Sequence, residues 1–466
     1  MQPDSRSRID SQVDPRASAS HGRSLHALRL WKSALLLLGA GCASPLERSE
    51  RLELLGALDK AVRENLFDPS SVPERWLDPA LEIANGGESA WERDRELARV
   101  INGCLRGFVS HAHLHGPGAA EAEPADVEIP WVSTDEGVSV LWGVSNDRGD
   151  TILPGELILG AANARDMRRS LEGLEGDLAS LRVRGLDGSE RTVSWSCSAE
   201  RSEAVTSQML PGGILHVRIA SFSGFGPFDH GNAEIIEGHV RGDRNSGGLI
   251  LDLRGNPGGG RSATDVAALF HRGVKTLALF VAREDAARDA AQVAVDARKV
   301  RTELSWKPWV TIGRLLAYLD VMDGQESFGI QGGGDGSLEG VRVAVLIDEG
   351  TRSSAEILAA FLQEECGATL VGRRSGGECA MPANVDLPFG WEAHLPRCYV
   401  ASGRGTRIEG RGLEPQVHVA HRRSDLAGGR DADVEAARAL LEKPRPAASG
   451  SSSARDPEGT RDFELR

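Results

Sequence analysis

Ser353 stands at the head of an apolar helical run in VAVLIDEGTRSSAEILAAFL (residues 343–362), directly after a short β-branched strand pattern. A hydroxyl at a helix N-terminus lies beside unpaired N–H groups and the positive end of the helix dipole, a favourable place for a nucleophile. Read alone, Ser353 serves equally well as a helix N-cap, with Glu356 three positions on completing a capping box. A second feature is LILDLRGNPGGG (residues 249–260), a buried-strand pattern that ends in Asp252 and Arg254 and opens into glycines. Glycines let backbone N–H groups approach a ligand closely, which suits the stabilisation of an oxyanion in acyl transfer. The phosphate-binding patterns GxxxxGK(S/T) and GxGxxG are absent, so this is not a phosphate loop. A third feature, GFVSHAHLHG (residues 107–116), carries Ser110 and three alternating histidines, His111, His113 and His115. On a strand these three would share a face and could ligate a metal, although no HExxH motif accompanies them.

Such groups need a scaffold to bring them together, and the chain is patterned to supply one. Runs such as GILHVRI, GLILDL, VRVAVLI and ATLVG are short, nearly continuous apolar segments, as buried strands should be. Helical patterns alternate with them at Thr264–Phe270 and Ser353–Glu365, so residues 210–425 read as an α/β core. Residues 43–115 read as a small helical part, with Leu52, Leu54, Leu55, Leu58 and Val62 recurring at helical spacing. Residues 127–200 read as β-rich, with a hairpin signal in SLRVRGLDGSERTVSW, and Arg288–Gly340 as an irregular insertion around a GGG turn. The segment LPGELILGAANARDM resembles a stretch of PDZ domains, with Glu156 in place of the usual Asp. The resemblance implies a module that takes an extended peptide by strand addition. A structural β-subdomain without a working groove is the plainer reading.

At 466 residues the chain exceeds one ordinary core, and 26% charged with 40% hydrophobic residues is a globular composition. A net charge of −14 argues against a phosphate backbone, and hence against nucleic acid, as partner. Residues 1–42 have the order of a signal peptide: basic residues to Lys32, the apolar run SALLLLGAG, then Cys42. The GAGC ending resembles a bacterial lipobox, which makes Cys42 a candidate for lipidation and membrane attachment; an exported, periplasmic or envelope location is expected. The other five cysteines show no CxxC or metal-ligand spacing, although Cys379 and Cys398 flank a predicted hairpin and could pair. Residues 444–466 have the composition of a disordered tail.

LILDLRGNPGG followed by TRSSAEI, LVG and IEGRGLEP, in this order, resembles the family of the C-terminal processing (tail-specific) and tricorn-core serine peptidases. The resemblance covers residues 50–420 and implies an α/β peptidase core with an N-terminal helical part and an inserted PDZ-like domain. It implies Ser353 as nucleophile, with oxyanion donors at the backbone N–H of Ser354 and of Gly258 or Gly259. Where tail-specific members carry a catalytic lysine, this chain has Glu378, in GRRSGGECA. The resemblance is therefore to the tricorn-like branch, which implies His111 as general base, Glu409 as orienting carboxylate and Ser110 as a residue that helps orient the site or bridges to Glu409. A serine-type endopeptidase or C-terminal processing peptidase acting on polypeptides, without cofactor or metal, is the expected function. The alternative is a catalytically inactive peptidase fold that binds peptides or apolar ligands. The oligomeric state is not legible in the sequence.

Overall fold

A computed structural model describes residues 44–86, 91–117, 124–127, 129–146, 148–160, 173–174, 178–198, 205–222, 236–238, 247–259, 262–285, 327–380 and 382–443. The expected signal peptide, Cys42, the tail and most of the expected 288–340 insertion lie outside the described residues. Among the described residues no helix is long and apolar enough to cross a membrane.

The apolar runs assemble into a six-stranded sheet in the order Val205–Leu210, Ile214–Ile219, Gly248–Asp252, Val343–Ile347, Thr369–Gly372 and Val417–His418. The first pair is antiparallel and the remaining neighbours are parallel. Gly248–Asp252 and Val343–Ile347 are buried at every position, which is why they read as continuous apolar runs rather than alternating ones. The helices Ser262–Leu269 and Ser354–Cys366 cover one face, the latter burying Ala355, Leu358, Ala359, Ala360, Phe361 and Leu362. Ala432–Glu442 covers the other face through Ala437 and Leu441.

Beside the core lies a three-stranded sheet in which Arg272–Ala282 pairs antiparallel with Phe328–Asp335 on one side and Cys398–Ser402 on the other. Here the structure departs from the expectation of an irregular insertion, because the GGG stretch is strand. Glycine is required there by close packing: a Cβ at Gly334 would lie 2.1 Å from the His271 carbonyl. Cys379 and Cys398 are both buried and are not bridged.

The N-terminal part forms the helices Arg48–Asn65, Asp78–Ala84 and Trp91–Arg106, with their own hydrophobic cluster that also takes in Trp391, Ala393 and Leu395. Strand His113–His115 ties this part to the core by antiparallel pairing with Glu392–Pro396. A further sheet of seven strands, Pro124–Val127 to Glu190–Ser198, makes up the PDZ-like unit around Val138, Ile158, Val183 and Trp195. It docks on the helix Arg423–Ala427, where Arg423 donates to Gly155 O at 2.8 Å and Gly185 O at 2.9 Å.

Candidate active site

The parallel strands Gly248–Asp252 and Val343–Ile347 end side by side, so the loops that follow them meet. Thr351 Oγ1 donates to Leu253 O at 2.8 Å, Gly255 N to Asp348 Oδ1 at 2.8 Å, and Arg352 N to Asn256 O at 2.9 Å. Ser353 caps the helix that follows, in the left-handed region at φ 52° and ψ −127°. Backbone strain of this kind in a non-glycine residue costs roughly 1–3 kcal/mol and persists only where the surroundings impose it. They do so here, because Ser353 N–H donates to Glu378 O at 2.8 Å and lies 3.2 Å from Glu356 Oε2. The Glu356 carboxylate thus reaches back to the N-cap, as the capping-box spacing suggested.

Gly258, at φ 96°, lies against the Ser353 side chain, and a Cβ added to it would fall 2.5 Å from Ser353 Cβ. Its N–H donates to Asn256 Oδ1 at 2.8 Å, so of the two glycine candidates it is Gly258 whose amide is already engaged. Gly259 is next to it, and its carbonyl accepts from Ser354 Oγ at 3.2 Å, which joins the glycine loop to the helix N-terminus.

The histidine segment comes from the other side. Asn102, on the helix Trp91–Arg106, donates to Leu114 O at 3.2 Å and accepts from Leu114 N at 2.7 Å. The chain between them therefore turns in a fixed loop that carries Ser110 and His111, the latter at φ 54°. His111 precedes the strand His113–His115, so the three histidines do not share one strand face and the metal reading that grouped them loses its basis. The Ser110 hydroxyl donates to Glu409 Oε1 and its oxygen lies 3.2 Å from His111 Nδ1. With its proton directed to a carboxylate, that oxygen can only accept, so Nδ1 carries the imidazole proton and Nε2 keeps its lone pair. Burial of the ring lowers the His111 pKa to about 4, with Glu378 acting upward and Arg352 downward. The imidazole is neutral at neutral pH.

The two halves meet along residues 375–380, which two buried carboxylates hold. Glu356 accepts from the Ser375 hydroxyl, from Gly377 N at 2.8 Å and from Glu378 N at 3.0 Å. Glu409 accepts from Cys379 N at 2.7 Å and Ala380 N at 2.5 Å as well as from Ser110. Burial raises the pKa of both, that of Glu356 to about 7. Between them Glu378, at the lysine position, pairs with Arg352 at 2.7 Å. Asn256 and Arg352 are contributions that spacing did not reveal beforehand; Glu356 was named only as a capping-box residue and Glu378 only as the residue at the lysine position.

Among the described residues one group has metal-ligand atoms close together, His421, Asp431 and Asp433. Its carboxylates are occupied by arginines: Arg254 bonds Asp431 at 2.8 Å and Asp433 at 3.0 Å, and Arg373 bonds Asp433 at 3.0 Å. The group is an ion network fastening the helix Ala432–Glu442 to the start of the glycine loop. Burial works to raise the pKa of Asp252, which also bonds Arg254, but the guanidinium overrides it and holds the group well below the usual carboxylate range.

The sequence model of peptidase family S41 matches residues 213–419, the span that holds the glycine loop, Ser353 and Glu409. This is an S41 peptidase fold. Among solved structures, mature CPAF complexed with lactacystin is similar over 84% of this chain and 98% of its own, at 14% identity and a TM-score of 0.52. A second structure of mature CPAF gives 15% identity and 0.52 over 84% and 96%. The photosystem II D1 C-terminal processing protease gives 18% identity and 0.47 over 85% and 98%. No curated protein sequence matches the chain. At family level the S41 fold supports a serine-type peptidase acting on polypeptides.

Proposed function

We propose that this chain is an exported serine peptidase that cleaves extended polypeptides through an acyl-enzyme on Ser353, with His111 as general base. The observation that carries the reading is the relay from Glu409 through the Ser110 hydroxyl to His111 Nδ1, which leaves Nε2 as the basic nitrogen. As Ser353 Oγ attacks the scissile carbonyl, its proton passes to His111 Nε2. Negative charge gathers on the carbonyl oxygen, where the N–H groups of Gly259 and Ser354, at the glycine loop and the helix N-terminus, stabilise it. His111 then gives its proton to the leaving amine; water repeats the sequence in reverse and frees the serine. Burial holds the His111 pKa at about 4, so the ring is unprotonated throughout the neutral range and open to the serine proton. Attachment to a membrane through a lipidated Cys42 and peptide capture by the PDZ-like unit belong to the same reading.

The test is labelling with a serine-reactive fluorophosphonate, followed by mass-spectrometric mapping of cleavage in a peptide library. Adduct on Ser353, lost in Ser353→Ala and strongly reduced in His111→Ala, is expected. A purified wild-type chain that takes no label and cuts no peptide would instead favour a binding protein that keeps the peptidase fold.

A further inference from the structure

Glu378 stands where a lysine would be expected, yet it is built into the site rather than left over in it. Its carbonyl accepts the Ser353 N–H at 2.8 Å, its own N–H donates to Glu356 at 3.0 Å, and its carboxylate bonds Arg352 at 2.7 Å. Arg352 is equally fixed, its N–H donating to Asn256 O at 2.9 Å. Residues 352 and 353 on one side and 378 and 379 on the other therefore form two short chain segments that carry the nucleophile and, through Cys379 N and Glu409, the relay. The side chains of Arg352 and Glu378 are 14% and 18% exposed, so their charges are poorly screened.

We propose that Glu378 and Arg352, bonded to each other beside the nucleophile, are positioning residues of opposite sign that together set how firmly His111 holds the proton it takes from Ser353. The inference rests on the acyl-enzyme reading above. The Ser110 oxygen lies 3.2 Å from His111 Nδ1 and links the ring to Glu409, which also accepts from Cys379 N beside Glu378, and Glu378 and Arg352 are the charged groups that act on the ring across space. Of these, Glu409 acts through the Ser110 hydroxyl, and burial keeps Cys379 a neutral thiol, its pKa well above the ordinary range. That leaves the ion pair, whose Arg352 directly precedes Ser353 and whose Glu378 carbonyl accepts the Ser353 N–H, as the charges beside the nucleophile. The carboxylate favours the imidazolium formed during attack and the guanidinium opposes it. A lysine at position 378 would add a second positive charge against the imidazolium, which gives a physical reason for a carboxylate in a site that uses histidine.

The experiment is a ¹³Cε1-histidine NMR titration of the full chain, with the His111 signal assigned by its loss in His111→Ala. Glu378→Gln is expected to lower the midpoint by about one pH unit and Arg352→Gln to raise it by about one, the size of a single nearby charge. The double Gln variant should return close to wild type, and Glu378→Asp should keep most of the effect. Midpoints that do not move, or that move the same way in both single variants while thermal melting shows them folded, would overturn the proposal. Fluorophosphonate labelling separates the two levels. An unlabelled wild type sinks the acyl-enzyme reading and the catalytic meaning of the pair with it, whereas labelling without opposed shifts sinks the pair alone.

Discussion

Glu409 and Ser110, 299 positions apart in the chain, are joined by a hydrogen bond from the serine hydroxyl to a carboxylate that is 2% exposed. The direction of that bond determines which nitrogen of His111 carries the proton. Glu409→Gln offers a neutral amide that can turn its NH₂ toward Ser110, reversing the relay and placing the imidazole proton on Nε2. A fall in kcat of roughly 10²–10⁴-fold with little change in KM is expected, as for other orienting carboxylates. Steady-state kinetics on a cleaved peptide, beside fluorophosphonate labelling rates, would check it; unchanged kcat would remove Glu409 from the relay.

Gly258 is the tightest point against the nucleophile. Gly258→Ala would force a Cβ to within 2.5 Å of Ser353 Cβ at a backbone φ of 96°. Loss of Ser353 labelling is expected in a chain that still melts cooperatively. Gly149→Ala is the control: φ is 86° there too, but nothing lies within 4 Å. The control should cost on the order of 1 kcal/mol and leave labelling intact.

Asn102 fixes the loop from the far end. Asn102→Ala removes both of its bonds to Leu114 and leaves a part-buried amide and carbonyl seeking water. A loss of about 1–3 kcal/mol in stability is expected, with a disproportionate fall in kcat because Ser110 and His111 drift from register. Thermal melting and kinetics on one preparation would separate the two effects.

Glu356 gives a pH signature. Burial raises its carboxyl to about 7 against an unfolded value near 4.3. A carboxyl held more protonated in the native state contributes stability that is complete below the unfolded pKa and is lost as pH rises through the folded one. Melting should therefore strengthen by about 1 kcal/mol between pH 8 and pH 6, and Glu356→Gln should abolish that slope. A slope of the opposite sign would mean that the hydrogen bonds from Ser353, Ser375, Gly377 and Glu378 outweigh burial and keep the group ionised.

Gly248–Asp252 and Val343–Ile347 were legible because each is buried at every position and reads as one apolar run, and the helix after Ser353 because its small and apolar residues recur at helical spacing. Phe328–Asp335 was not legible: a strand written with three consecutive glycines has no side chains to alternate, and it is the close approach of Leu277 to Gly332 and of the His271 carbonyl to Gly334 that leaves no room for a Cβ at those two. Ser353, Ser110, His111 and Glu409 were candidates from the order of motifs, and the last three form one hydrogen-bonded chain. Asn256, Arg352 and the partners of Glu378 were not, because each acts through a backbone group or a charge whose partner lies elsewhere in the chain. No local pattern records such a partner.

The histidine follows the N-terminal helices and the serine heads a helix over the parallel sheet, and the cluster of the N-terminal helices is completed by Leu114 and, from the other end of the chain, by Trp391, Ala393 and Leu395. Chemistry at Ser353 would then depend on docking as much as on folding. A cut near residue 117 would leave the piece that carries the base held by this packing alone, and a ligand that pries strand His113–His115 from Glu392–Pro396 would separate the base from the nucleophile. Two separately made pieces, mixed, would be expected to recover the activity by finding each other.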